Sequence, residues 1–249
     1  KYNGSTKNDI ATLISDDATI LQNIHDAYNG KYAISVTNSD LFKTQGNLII
    51  TSNSTLNMVP DIDYTNIDTA KNGFYVADCN EINLNNIVIK GPFYKGLVCL
   101  ASTELTGKTL SNCNISDCVI GLYFKGEYYT LHNSVISLCR MGIFITGGNN
   151  SIISTTLTLN RIGVQIDSST GSNNDHGKII GCTFNHNCAC GIFIKDTEYS
   201  YHVTGCDIWA NIGHVLQTKL YEPERFTEAT ATIAQVHSYG VYLENVENI

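Results

Sequence analysis

Residues 141–167 read MGIFITGGNNSIISTTLTLNRIGVQID, and this stretch decides the fold. A glycine opens one alternating apolar strand, GIFIT, and 21 residues later another glycine opens a second, GVQID. Apolar residues at every second position indicate a half-buried β-strand. A strand that returns at a short, regular interval indicates a stacked β-solenoid, in which each repeat packs on its neighbours.

The same phrase recurs along most of the chain at intervals of 21 to 28 residues, with one degenerate copy at Gly213. The eight glycines are Gly73, Gly96, Gly121, Gly142, Gly163, Gly191, Gly213 and Gly240. After a variable loop, each repeat carries a second strand, which begins at Leu84, Leu110, Leu131, Ile152, Ile179 and Val203. The sequence therefore predicts an all-β parallel solenoid with two strands per turn, continuous over 61–249.

The N-terminal segment, 1–60, is predicted to hold a capping helix and the first strands. Residues 15–30, SDDATILQNIHDAYNG, carry apolar side chains at helical spacing. A helix there would cover the open end of the solenoid, where strand edges are unpaired. Because the chain starts at Lys1 and ends in ENVENI, we expect it to be a fragment of a longer protein.

Two inward columns are predicted from the alignment of the repeats. Cys113, Cys182 and Cys206 share one position, and we expect them to stack as reduced, buried thiols. Nine cysteines are an odd number, which argues against a secreted disulfide framework. A second column holds three asparagines, which are predicted to form an amide ladder: Asn160, Asn187 and Asn211.

Composition and charge exclude several classes of protein. The net charge of −8 argues against a nucleic-acid partner, which would need a basic surface. The chain has no apolar run of about 18 residues, so we expect no membrane insertion. The cysteines and histidines lack zinc-site spacing, and we expect neither a metal nor a cofactor.

The second residue after each glycine is predicted to point outward, and five of these eight residues are aromatic. They are Tyr75, Val98, Tyr123, Phe144, Gln165, Phe193, Val215 and Tyr242. An external aromatic stripe suits stacking on sugar rings or packing against another subunit. An overlying loop is a further way to cover it.

A groove is predicted where the short loop TGGNN, 146–150, lies between longer loops at 125–130, 167–177 and 195–202. Carboxylates and aromatic rings together are typical of glycan clefts, where acids act on the glycosidic bond. The candidate catalytic residues are Glu127, Asp167, Asp196 and Glu198. The candidate sugar-binding residues are Tyr128, Tyr129, Phe144, His176, Tyr201 and Trp209. A plainer interpretation of Asp167 is an ion pair with Lys195, which shares its outward column.

The helix pattern at Asp16, Asp17, Leu21, Gln22 and Ile24, followed by turns of the form N-x-x-h-x-h…GI-x-h, resembles a known architecture. It is similar to the right-handed parallel β-helix of the pectin-lyase-like superfamily, and within it to bacteriophage tailspikes and appendages. The resemblance implies polysaccharide binding or cleavage, and a homotrimer assembled in the host cytoplasm and carried on the virion. It transfers no catalytic residue, because polygalacturonase and pectate-lyase motifs are absent from the sequence.

Three hypotheses follow. The first is a trimeric, tailspike-like glycoside hydrolase that binds and hydrolyses a bacterial capsule or O-antigen, and acts outside the cell at the bacterial surface. The second is a non-catalytic receptor-binding or structural appendage of the virion that uses the same surface. The third is a polysaccharide lyase or epimerase, which would need a calcium site and a lysine or arginine in the groove.

Overall fold

The computed structural model describes residues 34–37, 41–44, 48–51, 72–77, 81–99, 108–168, 176–197, 200–211 and 239–246. Every regular element among these residues is a β-strand, and every strand pair is parallel. The predicted all-β parallel solenoid is therefore confirmed. The predicted capping helix lies outside the described residues, as does the degenerate copy of the repeat at Gly213.

The strands stack into three walls, whereas the sequence predicted two strands per turn. Wall 1 contains β2 (Leu41–Thr44), β5 (Glu81–Asn85), β7 (Lys108–Ser111), β9 (Tyr129–His132), β12 (Ser151–Ile153), β15 (Lys178–Ile180) and β18 (His202–Thr204). Wall 2 contains β3 (Leu48–Thr51), the first halves of β6 (Ile87–Cys99) and β8 (Asn114–Phe124), β10 (Val135–Ser137), β13 (Thr156–Thr158), β16 (Thr183–Asn185) and β19 (Asp207–Trp209). Wall 3 contains β1 (Ile34–Thr37), β4 (Asn72–Ala77), the second halves of β6 and β8, β11 (Met141–Ile145), β14 (Ile162–Asp167), β17 (Cys190–Lys195) and β20 (Tyr239–Glu244).

A sharp corner between walls 1 and 2 explains the extra wall. One residue per turn takes a left-handed backbone conformation there, with φ between +48° and +63°. Asparagine and glycine tolerate this conformation best, and they occupy most of the column. Its members are Asn86, Asn112, Asn133, Ser154, Gly181 and Gly205. The inward-facing residues that flank the corner are three positions apart, as Leu110 and Cys113 are, so the alternation shifts by one residue there. A β-bulge leaves the same one-residue shift, and the pattern alone therefore did not separate the two short strands.

The repeated glycine of wall 3 is required by the close stacking of consecutive turns. A Cβ atom added to Gly142 would lie 2.5 Å from the carbonyl oxygen of Gly163 on the next turn. The same distance would separate a Cβ on Gly163 from the carbonyl oxygen of Gly191. The feature that predicts the fold is therefore a steric requirement of the fold.

The inward columns are found as predicted. β11 and β14 pair in parallel, and no disulfide joins the cysteines that the structure describes. Cys113 and Cys182 are buried and Cys206 is half-buried. Burial raises the pKa of the Cys113 thiol to about 12 and that of Cys182 to about 11. Both thiols are therefore protonated at neutral pH.

The asparagine ladder is also confirmed. The side-chain oxygen of Asn187 accepts hydrogen bonds from the backbone nitrogen and the side-chain amide nitrogen of Asn160. The side-chain oxygen of Asn211 accepts from the same two nitrogens of Asn187. The left-handed residues are not the asparagines but those one position earlier: Leu159, His186 and Ala210. This corner turns each amide inward, where it is buried.

Candidate functional site

The aromatic stripe on the outer face of wall 3 is covered on the middle turns. Val98 and Tyr123 are buried and Phe144 is only 3% exposed, so the prediction of an external stripe is wrong there. Together with Ile120 and Met141 these residues form a second apolar cluster outside the wall. Tyr123 and Phe144 stack with ring centroids 5.3 Å apart. The Phe144 ring is therefore buried and cannot stack on a sugar, which corrects its prediction as a sugar-binding residue.

The stripe is accessible on β17 and on β20, the last strand that the structure describes, where the inward-facing Val241 and Leu243 are exposed as well. Phe193 is half-buried, Tyr242 is 36% exposed and Tyr239 is exposed. The Tyr242 ring centroid lies 5.2 Å from that of Phe193 and 5.0 Å from that of Tyr239. We call these three residues the C-terminal aromatic patch. Accessible rings of this kind have one apolar face to offer a ligand.

A charged ladder runs beside the patch. Asp167, Lys195 and Glu244 face one another on three consecutive turns of wall 3. The Lys195 ammonium lies 3.4 Å from the Glu244 carboxylate and 3.9 Å from that of Asp196. Two amides complete the group, since Gln165 donates to Asp167 at 3.2 Å and Asn245 donates to Asp196 at 2.9 Å. The structure thus brings Asp167 and Asp196 together around a lysine.

The electrostatic setting of Lys195 supports the ion-pair interpretation. Desolvation acts to lower the pKa of its ammonium, but the hydrogen bond and charge of Glu244 and the charges of Asp167 and Asp196 outweigh it. The pKa of Lys195 is therefore raised above its usual value. Sequence reasoning missed Glu244. The signal was available, because Glu244 lies four residues after Gly240, as Lys195 does after Gly191.

The structure does not show the loop at 125–128 as a raised side of the predicted groove. The loops at 125–128 and 146–149 have equal length, and their backbones are in close contact. A Cβ atom on Gly147 would collide with the Gly126 carbonyl group. The Asn150 amide ties them together by donating to Gly126 at 3.1 Å and Gly147 at 2.8 Å. Glu127 and Tyr128 are half-buried at this junction. Several turns of the solenoid separate them from the C-terminal aromatic patch. Their side chains therefore border no step between a long and a short loop.

Two predicted sugar-binding tyrosines are inside the solenoid. Tyr129 is fully buried and stacks on Phe124 with ring centroids 5.1 Å apart. Tyr201 is buried in the same core and lies against Gly177, where any Cβ would collide with its ring. Burial raises the pKa of the Tyr201 hydroxyl, which has no hydrogen-bond partner among the described residues. Both rings fill the corner where a loop enters wall 1, so they cannot stack on an external sugar.

The remaining candidates lie apart. His176 is exposed at the end of a loop. Trp209 is 52% exposed on the outer face of wall 2, where its ring meets that of His186 edge-on with centroids 5.1 Å apart. Glu198 lies outside the described residues. The candidate residues that the structure describes therefore form no single cleft. Their densest group of rings and charges is on the C-terminal turns of wall 3, where Asp167 is buried and Lys195, Asp196 and Glu244 are half-buried.

Neither a metal cluster nor a membrane-spanning helix is found in the described part of the chain. No three His, Cys, Asp or Glu side chains there are placed to hold a metal ion. No helix among those residues is long and apolar enough to cross a bilayer.

Comparison with known proteins places residues 72–219 within one family model, described as a right handed beta helix region. This match covers more than half of the chain and includes most of the turns described above. No curated protein and no solved structure matches the chain.

Proposed function

The chain belongs to the right-handed β-helix family, and from this fold and its surface we propose that it is a tailspike-like protein that binds a bacterial surface polysaccharide. The observation that carries the proposal is the exposed C-terminal aromatic patch beside the charged ladder of Asp167, Lys195 and Glu244. Elsewhere on wall 3 the equivalent aromatic residues Tyr123 and Phe144 are buried.

The patch and the ladder are complementary in what they offer a glycan. Tyr239, Tyr242 and Phe193 present ring surface to the C–H face of a pyranose. The carboxylates and amides next to them, on turns spaced by about 4.8 Å, can accept from and donate to sugar hydroxyls. Binding sites commonly combine an apolar surface with a few oriented polar groups in this way.

The charges around Lys195 favour binding over cleavage. A glycoside hydrolase needs one protonated carboxyl and one ionised partner. The carboxylates of Glu244 and Asp196 are already engaged by the Lys195 ammonium, at 3.4 and 3.9 Å. In-register stacking also spaces Asp167 and Glu244 by two turns, about 10 Å along the wall.

Hydrolysis is the second candidate function, and it rests on three carboxylates meeting around one lysine. Asp167 and Asp196 come from adjacent turns, and Glu244 comes from the turn after. If Lys195 is displaced by substrate, two of these acids would have room to act as acid and base. We therefore keep Asp167 and Asp196 in the hydrolase proposal and add Glu244.

For the whole protein we propose a homotrimer carried on a phage tail, assembled in the host cytoplasm and acting at the bacterial surface. The support is the resemblance of its sequence pattern to tailspikes, together with membership of the β-helix family. The exposed rings that suit a sugar also suit a subunit contact, so the oligomeric state of each variant has to be measured together with its affinity for polysaccharide.

The test measures binding of purified capsular and O-antigen polysaccharides by titration calorimetry. Tyr242→Ala and Phe193→Ala should each weaken binding of the best ligand about tenfold, a loss of about 1.4 kcal/mol of stacking and burial. Trp209→Ala is the matched control, since it removes an exposed ring from wall 2. Its affinity should equal that of the wild type.

Each outcome decides between the alternatives. Loss of binding in Trp209→Ala alone would move the site to wall 2, and no binding to any polysaccharide in the panel would reject the proposal. Release of oligosaccharides that is lost in Asp167→Asn, Asp196→Asn or Glu244→Gln would establish the hydrolase. Binding without release would establish the non-catalytic appendage.

A further inference from the structure

Cys182 and Cys206 lie side by side on consecutive turns, at the corner between walls 1 and 2. The strand register brackets them, because Ile180 pairs with Thr204 just before the cysteines and Thr183 pairs with Asp207 just after them. Neighbouring in-register residues of a parallel sheet are about 4.8 Å apart, within the range of about 4.4 to 6.8 Å between Cα atoms that a disulfide spans.

The Cys206 thiol points at the turn of Cys182, whereas the Cys182 sulfur lies 3.4 Å from the carbonyl oxygen of Ile152 on the turn before its own and has to rotate about its Cα–Cβ bond to meet Cys206. The Cys206 sulfur lies 3.6 Å from the carbonyl oxygen of Ile179, which belongs to the turn of Cys182. Cys206 is also close enough to Cys182 to contribute to its raised pKa. Gly181 and Gly205 precede the cysteines in the left-handed conformation. The nearest atom to a Cβ on Gly181 would be 3.8 Å away, so the corner has space to adjust.

We propose that Cys182 and Cys206 form an oxidation site, at which a peroxide converts the two thiols to a disulfide that joins consecutive turns of the solenoid. The site goes beyond polysaccharide binding and does not depend on it. The sequence predicts reduced thiols in the cytosol, and the proposal concerns the protein after it meets an oxidant.

The reaction is a two-electron oxidation of the thiol pair by hydrogen peroxide. The Cys206 thiolate attacks one peroxide oxygen, the O–O bond breaks, and hydroxide leaves, which gives a sulfenic acid. The Cys182 sulfur then attacks the sulfenic sulfur, an S–S bond forms and the S–O bond breaks. The departing hydroxide takes up the thiol proton as water, so two thiols and one peroxide give one disulfide and two waters.

The order of the two steps follows from exposure. Cys206 is half-buried at the C-terminal turn, whereas Cys182 is 1% exposed. Peroxide therefore reaches Cys206 first, and Cys182 resolves the sulfenic acid. Because burial raises the pKa of Cys182 to about 11, its thiolate fraction, and with it the closure rate, increases as the pH rises towards that value.

The chain contains a matched internal control. Cys118 and Cys139 also lie on consecutive turns in register, between the pairs Ser116–Ser137 and Ile120–Met141. Both are completely buried. Proximity is therefore the same for the two pairs, and access to the oxidant is what differs.

The experiment treats the folded protein with hydrogen peroxide at pH 7 and pH 9 and maps disulfides by non-reducing peptide mass spectrometry. We expect a crosslinked peptide containing Cys182 and Cys206, formed faster at pH 9, while Cys118 and Cys139 stay reduced. In Cys182→Ser, Cys206 should stop at the sulfenic acid and be trapped by dimedone. In Cys206→Ser, Cys182 should stay reduced.

The wild-type map decides the proposal even if a variant fails to fold. Conversion of Cys206 to sulfinic or sulfonic acid without a crosslink would overturn it, because the partner thiol would then be out of reach. So would a Cys118–Cys139 crosslink that forms at the same rate, because oxidation would then follow general opening of the solenoid.

Discussion

Asn187 connects three consecutive turns through one buried side chain. Its amide nitrogen donates to Leu157 and to Asn211, and its oxygen accepts from Asn160. Asn187→Ala leaves buried polar groups on both neighbouring turns without partners, and we expect it to lower the free energy of unfolding by about 2–4 kcal/mol. Urea titration followed by circular dichroism measures this loss.

The control for Asn187 is Asn114→Ala, at an exposed position on the outer face of wall 2. Its free energy of unfolding should stay within about 0.5 kcal/mol of the wild type. Equal effects at the two positions would contradict the assignment of stability to the ladder.

The wall 3 glycines have a second residue-scale consequence. Gly163→Ala places a methyl group against the carbonyl oxygen of Gly191, a rigid backbone atom, and we expect destabilisation of about 3 kcal/mol. Gly181→Ala is the matched control, since it has a positive φ but open space for the methyl group. Its cost should be about 1 kcal/mol, the difference between alanine and glycine in the left-handed region. A larger loss at Gly181 than at Gly163 would mean that conformation and not stacking selects these glycines.

At the scale of strands, Lys195 links β14, β17 and β20 by charge. Its pKa is raised in the folded protein, so its contribution is complete below the ordinary lysine value and is lost as the pH rises through the raised one. We expect Lys195→Met to cost less than about 1 kcal/mol at pH 8, as partly exposed ion pairs do. The difference from the wild type should disappear above the raised pKa.

Unfolding in urea at pH 8, 10 and 11.5 measures this dependence. Lys178→Met, at an exposed position on wall 1, is the control, and its difference from the wild type should be the same at each pH. A Lys195→Met difference that grows with pH would have the wrong sign for the ladder.

At the scale of the whole molecule, assembly decides how the aromatic patch is used. We expect sedimentation equilibrium at micromolar concentration to give three times the 27.3 kDa mass of the chain. If Tyr242→Ala weakens polysaccharide binding and leaves the trimer intact, the patch binds sugar. If it dissociates the trimer, the patch is a subunit contact, and a stable wild-type monomer would contradict the trimer itself.

The sequence by itself determined the stacked turns, the parallel strands and the inward columns. These properties follow from short-range alternation and from the glycine that close stacking requires, as at Gly142 and Gly163. The asparagine and cysteine columns were predictable for the same reason, because residues at one position of each repeat must meet in a stack.

Only the tertiary structure decided the number of walls and the surface that a ligand can reach. A left-handed residue such as Asn112 splits a strand in two, and the one-residue shift that it leaves in the alternation is also what a β-bulge leaves. Tyr123 and Phe193 occupy the same position in their repeats, yet Tyr123 is buried and Phe193 is half-buried. Periodicity specifies the direction of a side chain, but its exposure depends on what packs outside the wall, and local sequence does not record that.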